Sequence, residues 1–165
     1  MMKLTPTTWF AVATALLTSA VVTTPPAGAA PGTASTPMPM SGQWRACDFS
    51  KLKSVDAVGD ARPVAHVRTD GSGMLVATVD VATAVPNTRY DVRVIQMPRP
   101  SLGCGPGAPG VVTGTLQTDA IGGGSTTFGG PVASGATGAW VVLERPSPYR
   151  QVPAEFYTTE FIASV

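Results

Sequence analysis

Two stretches decide the fold: MLVATVDV (Met74–Val81) and, seven residues on, RYDVRVIQ (Arg89–Gln96). In the first, Leu75, Ala77, Val79 and Val81 fall on one side, and Thr78 and Asp80 on the other. In the second, Tyr90, Val92 and Val94 alternate with Arg89, Asp91 and Arg93. Successive side chains of a strand point to opposite faces, so a period of two predicts strands with one apolar face each. The residues between them, Ala84-Val85-Pro86-Asn87-Thr88, form a turn cluster. Upstream, Asp70-Gly71-Ser72-Gly73 joins a short run, Val64–Thr69, to Met74. Asp-Gly between alternating segments predicts a hairpin, because glycine tolerates the positive φ that such turns need.

The same grammar extends outward in both directions. Val111–Thr118, Ser125–Val132, Ala139–Arg145 and Phe156–Val165 read as strands, and Gln43–Phe49 as an edge strand. Turn signals recur every 8–12 residues, and no convincing helical stripe free of glycine and proline is found. The expected fold is all-β: an antiparallel immunoglobulin-like β-sandwich of about seven or eight strands, with a small β-barrel as the alternative.

Composition narrows the function classes. Gly 18 and Pro 16 in 165 residues rule out a helical bundle, while 44% hydrophobic and 13% charged residues exclude a wholly disordered chain. Eleven basic against ten acidic residues leave no charge excess to attract nucleic acid or an anionic membrane.

The N-terminus reads as an export address. Met1-Met2-Lys3 gives a positive start, and WFAVATALLTSAVV (Trp9–Val22) follows as an apolar stretch of 14 residues. That is shorter than the ~20 residues a membrane-spanning helix needs, and suits the core of a secretory signal. Pro25-Pro26 and then Ala27-Gly28-Ala29 place cleavage after Ala29. Lys3 leaves with the signal, so the mature 136 residues carry ten basic and ten acidic groups and no net charge. Residues 30–42, APGTASTPMPMSG, hold no charge and three prolines and read as a disordered tether, with Thr33, Ser35, Thr36 and Ser41 as acceptors for O-linked sugar. Met38 and Met40 have no His or Cys beside them and read as mobile methionines rather than a copper site. Residues 43–165 form the folded domain. No membrane span is expected after signal cleavage, and the expected location is extracellular or in the cell envelope.

Cys47 and Cys104 are the two cysteines, and an even count in an exported protein predicts a disulfide. The 57 positions between them correspond to ~4 kcal/mol of stabilisation in the chain-entropy model. The bridge would pin the glycine-rich loop around Cys104 and the N-terminal segment to the sheet.

Little catalytic chemistry is on offer. His66 is the one histidine; a triad with Asp70 or Asp60 would need a nucleophile elbow, and no Gly-x-Ser-x-Gly exists. Alternation sets His66 opposite Ala65 and Val67, on a solvent-facing position. The Asp70 and Asp119 turns lack the oxygen density of a calcium loop, and Gly122-Gly123-Gly124 is followed by no helix that would cradle phosphate. Glu144, Glu155 and Glu160 show no spacing that forces two carboxylates into a cleft. No catalytic residue, metal site or cofactor is assigned.

Binding is better supplied. The loop Arg145–Pro153 is stiffened by prolines and carries Arg145, Tyr149 and Arg150, residue types enriched at interface hot spots. Met97-Pro98-Arg99-Pro100 opens a second stiff loop, and together they suggest a pre-organised contact surface. Trp44 and Trp140 are candidate ligand platforms, Trp140 reading mainly as core.

The motifs Val79-x-Val81, Pro86-Asn87-Thr88-Arg89-Tyr90-Asp91-Val92, Thr118-Asp119-Ala120-x-Gly122 and Phe156-Tyr157-Thr158-Thr159-Glu160-Phe161 add a resemblance. Residues 60–165 resemble small exported actinobacterial (mycobacterial-type) β-sandwich proteins, in which the segment matching Asp119 forms a hairpin. The resemblance implies the fold and export but transfers no activity. The expected function is that of a secreted, non-catalytic module binding an unknown protein or envelope component through its loops. An extracellular inhibitor of a hydrolase and a small hydrolase are the alternatives.

Overall fold

The computed structural model describes residues 35–53 and 59–165. The export signal and residues 30–34 of the expected tether lie outside them. The described residues contain nine strands and no helix: β1 (Pro37–Ser41), β2 (Arg62–Thr69), β3 (Met74–Ala82), β4 (Arg89–Met97), β5 (Val111–Gln117), β6 (Gly124–Pro131), β7 (Gly138–Arg145), β8 (Glu155–Thr159) and β9 (Ala163–Ser164). All pairings are antiparallel. The strands run in the order β5-β4-β7-β8-β1-β2-β3-β6, and β9 adds to β7.

This is one continuous sheet bent round an apolar core, nearly closed like a small barrel. The core takes Leu75, Ala77, Val79 and Val81 from β3 and Tyr90, Val92 and Val94 from β4, the faces that alternation selects. Each fully buried aliphatic side chain of this kind contributes about 1.5–3 kcal/mol of transfer free energy. The end strands β5 and β6 meet through side chains instead of a backbone ladder. Phe128 of β6 lies over Gly114 of β5 so closely that a Cβ there would come within 2.6 Å of the ring.

Three expectations need correction. Residues 37–41 form β1, with Met38 fully buried and Met40 nearly so, where a disordered tether was expected. Pro37–Pro39 pair with β2 and Met40–Ser41 with β8, so this strand joins the two halves of the sheet. Proline is tolerated because the Pro39 carbonyl accepts from the Glu160 N–H (3.0 Å): that residue's backbone faces β8, and its missing N–H costs no rung to β2.

Gln43–Phe49 forms no strand. It is a tight loop held by Ala46 N–H to Ser50 O (2.9 Å), Leu52 N–H to Trp44 O (2.9 Å) and one bridge, Arg45 to Lys51. The Asp119 turn closes locally, with Asp119 Oδ1 accepting from Ile121 and Gly123 N–H. The strands it joins then part, β5 to β4 and β6 to β3, so it is a corner rather than a hairpin. Gly122 sits there at φ +81°, and a Cβ would lie 2.2 Å from the Ala84 carbonyl oxygen.

The Asp70 turn is the predicted hairpin between β2 and β3. Asp70 Oδ1 accepts from the Ser72 hydroxyl (2.6 Å) and from Ser72 and Met74 N–H (both 2.9 Å), which holds its carboxyl below the usual range.

Candidate functional site

Strand β7 breaks the alternation, as its neighbour β8 does. Its sequence GAWVVL (138–143) is buried on both faces. Ala139, Val141 and Leu143 enter the main core, while Trp140 and Val142 point outward and join Ile95 of β4 in a second apolar cluster. An outward apolar cluster must be covered, and two loops cover it: residues 43–53 and the loop after β4.

The disulfide joins those two loops. Cys47 and Cys104 are bonded at a Cα separation of 5.6 Å, as the cysteine count predicts. Cys47 N–H also donates to Ser101 O (3.0 Å), and Arg93 donates to Cys104 O (3.2 Å), tying the loops to each other and to β4. Phe49 packs edge-on against Trp140 (centroids 5.5 Å apart), and Trp44 edge-on against Phe156 of β8 (4.3 Å).

The loops do not fill the space beneath them. A pocket of about 390 Å³, open to solvent, lies where the two loops meet the sheet, lined by Trp44, Leu52, Ile95, Leu102, Trp140, Val142 and the disulfide. This is within the size range of small-molecule sites. Leu102 is 82% exposed at its rim, an isolated apolar side chain that packing does not explain. Trp140 and Trp44 are therefore both wall residues, and Trp140, which reads mainly as core, is buried in the cluster and faces the cavity as well.

Two arginines complete the wall. Arg93 pairs with Glu144 (2.6 Å). Arg45 lies 3.9 Å over the Phe49 ring, donates to Phe49 O (3.3 Å) and approaches Glu160 at 3.6 Å. Burial lowers the Arg45 pKa and the Glu160 charge partly restores it. Arg45 had no assigned role in the sequence. The only signal was its place between Trp44 and Cys47, which shows a covered position only once the disulfide is placed.

The predicted binding loop is arranged differently. Tyr149 is 93% exposed and Arg150 is exposed, but Arg145 turns back to the buried Glu155 (3.6 Å). The three residues do not form one surface. Nor do the two proline-stiffened loops, because β4 pairs Asp91 with Glu144 and Met97 with Gly138. The loop after Arg145 thus leaves one end of the sheet and the loop after Met97 the other.

Other candidates are dispersed. His66 lies outward on β2, its ring 3.4 Å from the Ser35 hydroxyl, while the Asp70 carboxylate is taken up by its own turn. Glu144 points outward on β7. Glu155 points inward, accepting from the Tyr90 hydroxyl, so no two glutamates share a cleft. Burial and that bond push the Tyr90 phenol up to about 12, and burial raises Tyr157 as well. Among the described residues no group of three or more His, Cys, Asp or Glu could hold a metal, and no helix is long and apolar enough to cross a membrane. Compared with protein-family models, curated proteins and solved structures, the chain matches none.

Proposed function

We propose that the protein is an exported, non-catalytic binding module of the cell envelope or extracellular space, and that it binds through the disulfide-pinned face over β4 and β7. The observation that carries this reading is the cavity between the two bridged loops and Trp140, with exposed Leu102 at its rim. A bridge that holds two loops open over an apolar wall pre-organises a site and lowers the ordering cost of binding. The disulfide also supports an oxidising compartment. The non-catalytic reading is supported by where the one histidine sits: His66 is on the outer face of β2, on the other half of the sheet from the cavity.

Hydrogen-exchange mapping with an organic extract of culture filtrate tests this reading. Protection is expected in 44–53, 99–104 and 140. Protection confined to 145–153 would transfer the role to the Arg145–Pro153 loop and favour the inhibitor reading.

A further inference from the structure

The row of strands ends in β5 on one side and β6 on the other, and among the described residues no strand pairs with the outer flank of either. Antiparallel pairing turns alternate residues of β5 toward β4 and away from it. Thr118 N–H donates to Thr88 O and Gln96 N–H to Gly110 O, so the even-numbered residues bond to β4. Val112, Gly114 and Leu116 also meet β6 through their inner faces, against Gly130, Phe128 and Gly124. Thr113, Thr115 and Gln117 are exposed, and their N–H and C=O groups point along the flank away from β4.

The two ends are protected unequally. On β6, Pro131 offers no N–H, its carbonyl accepts from Gln96 Nε2 (3.1 Å), and Gly129-Gly130 is a poor strand sequence. On β5, VVTGTLQ carries no charge and no proline, and its register with β4 runs without a bulge. Charge, proline and bulges are the devices that keep an edge strand from pairing with another chain, and β5 has none of them.

We propose that β5 pairs with β5 of a second copy, antiparallel about a two-fold axis at Thr115, to form a dimer. Thr115 then faces the partner's Thr115, and Thr113 faces the partner's Gln117, each pair exchanging N–H···O=C bonds in both directions. Thr opposite Thr is a favourable cross-strand pair, and no like charges meet along the strand. Eleven basic against ten acidic residues put almost no net repulsion between copies. Pairing of β5 with β6 of another copy would propagate into a filament, and the Pro131 end of β6 opposes it. The two-fold axis of an antiparallel pair stands normal to the sheet, so the pockets over β4 and β7 of both copies open on the same side. The dimer thereby presents two sites to one surface. One edge of seven residues makes a smaller contact than the ~1,200–2,000 Å² of a standard interface, so the dimer is weak, half formed at roughly 100 μM.

The test is sedimentation of the disulfide-bonded protein over a concentration series, with residue-resolved hydrogen exchange at the lowest and highest concentrations. Amides of Thr113, Thr115 and Gln117 are expected to gain protection with concentration, while those of Gly114 and Leu116, already bonded to β4, do not change. Thr115→Lys places like charges on the axis and is expected to weaken the dimer at least tenfold; Thr115→Glu should do the same. Mixing the two variants should restore pairing, which neither could do if it had lost the fold. Ser125→Lys, the corresponding change on β6, should leave the dimer intact.

A protein that stays monomeric up to about 1 mM would overturn the proposal. So would a dimer indifferent to Thr115→Lys, or one lost in Ser125→Lys. Protection of the Thr113, Thr115 and Gln117 amides in the monomer would overturn it as well, by showing that the chain covers this edge itself.

Discussion

Strands β3 and β7 belong to the same sheet and are nearly equal in length, yet they are used in opposite ways. In β3 the burial alternates, with Leu75, Ala77, Val79 and Val81 inside and Thr78 and Asp80 turned outward. In β7 it does not alternate, because the disulfide-linked loops lie over its outer face. A strand with one wet face is spent on the core alone. A strand with two dry faces has committed its outer side to something other than closing the barrel, and here that side is the wall of a cavity. The candidate site lies where alternation fails.

The largest expected effect comes from removing the cover. The double variant Cys47→Ser/Cys104→Ser is expected to lose ~4 kcal/mol of stability on the chain-entropy estimate, read by urea unfolding. Amides of β7 should then lose hydrogen-exchange protection while those of β3 keep their ranking. Equal loss in both strands would show that the bridge supports the whole barrel and not one face.

Trp140→Ala comes next, at ~3 kcal/mol, the low end for a buried tryptophan, since truncation also removes an N–H that has no partner. The matching change on β3, Thr78→Ala, removes an exposed hydroxyl contact to Thr127 (2.9 Å). It should cost only about 0.5 kcal/mol or less. If both changes cost the same, β7 is not doubly buried in solution.

The inner faces are tested by pH. The Tyr90 phenol is raised to about 12 in the folded protein. The folded state therefore holds its proton more tightly than the unfolded chain, whose tyrosines titrate near 10. That contribution is fully present below pH 10 and is lost as pH rises toward 12. Tyr90→Phe should flatten the decline, and it should cost ~1–3 kcal/mol at neutral pH by leaving the buried Glu155 one donor short. Smallest of all is Tyr149→Ala: at 93% exposure it should shift stability by less than about 0.5 kcal/mol and leave ligand binding at the cavity unchanged.

Most of the barrel was readable along the chain, and the exceptions have physical causes. Strands β2, β3 and β4 are legible because each presents one apolar face, β7 because its run is apolar throughout, and the Asp70 turn carries its own side-chain bonds. β1 was hidden because PMPMS lacks charge and β-branched residues, and two prolines in five positions favour a tether over a strand. Its signal was present in Met38 and Met40, two apolar residues at period two. Only the partners β2 and β8, distant in sequence, show that this alternation is used. The cysteine pairing followed from counting, whereas the cavity it creates did not. That site needs Arg45, Arg93 and Trp140 brought together across about a hundred residues of chain, and no local pattern encodes a meeting of that kind. The Arg145–Pro153 loop has the composition of a contact surface, but Arg145 is occupied with Glu155.

β1 also has a mechanical consequence. Any load entering from the residues ahead of Ser35 reaches the barrel through this strand, which is gripped by β2 on one flank and by β8 on the other. Pulled along its axis, β1 must shear both sets of rungs together; pulled sideways, it would give them up one at a time. A protein held at a surface by its N-terminal segment would carry tension at the seam between its two halves, just ahead of the bridged loop that follows β1.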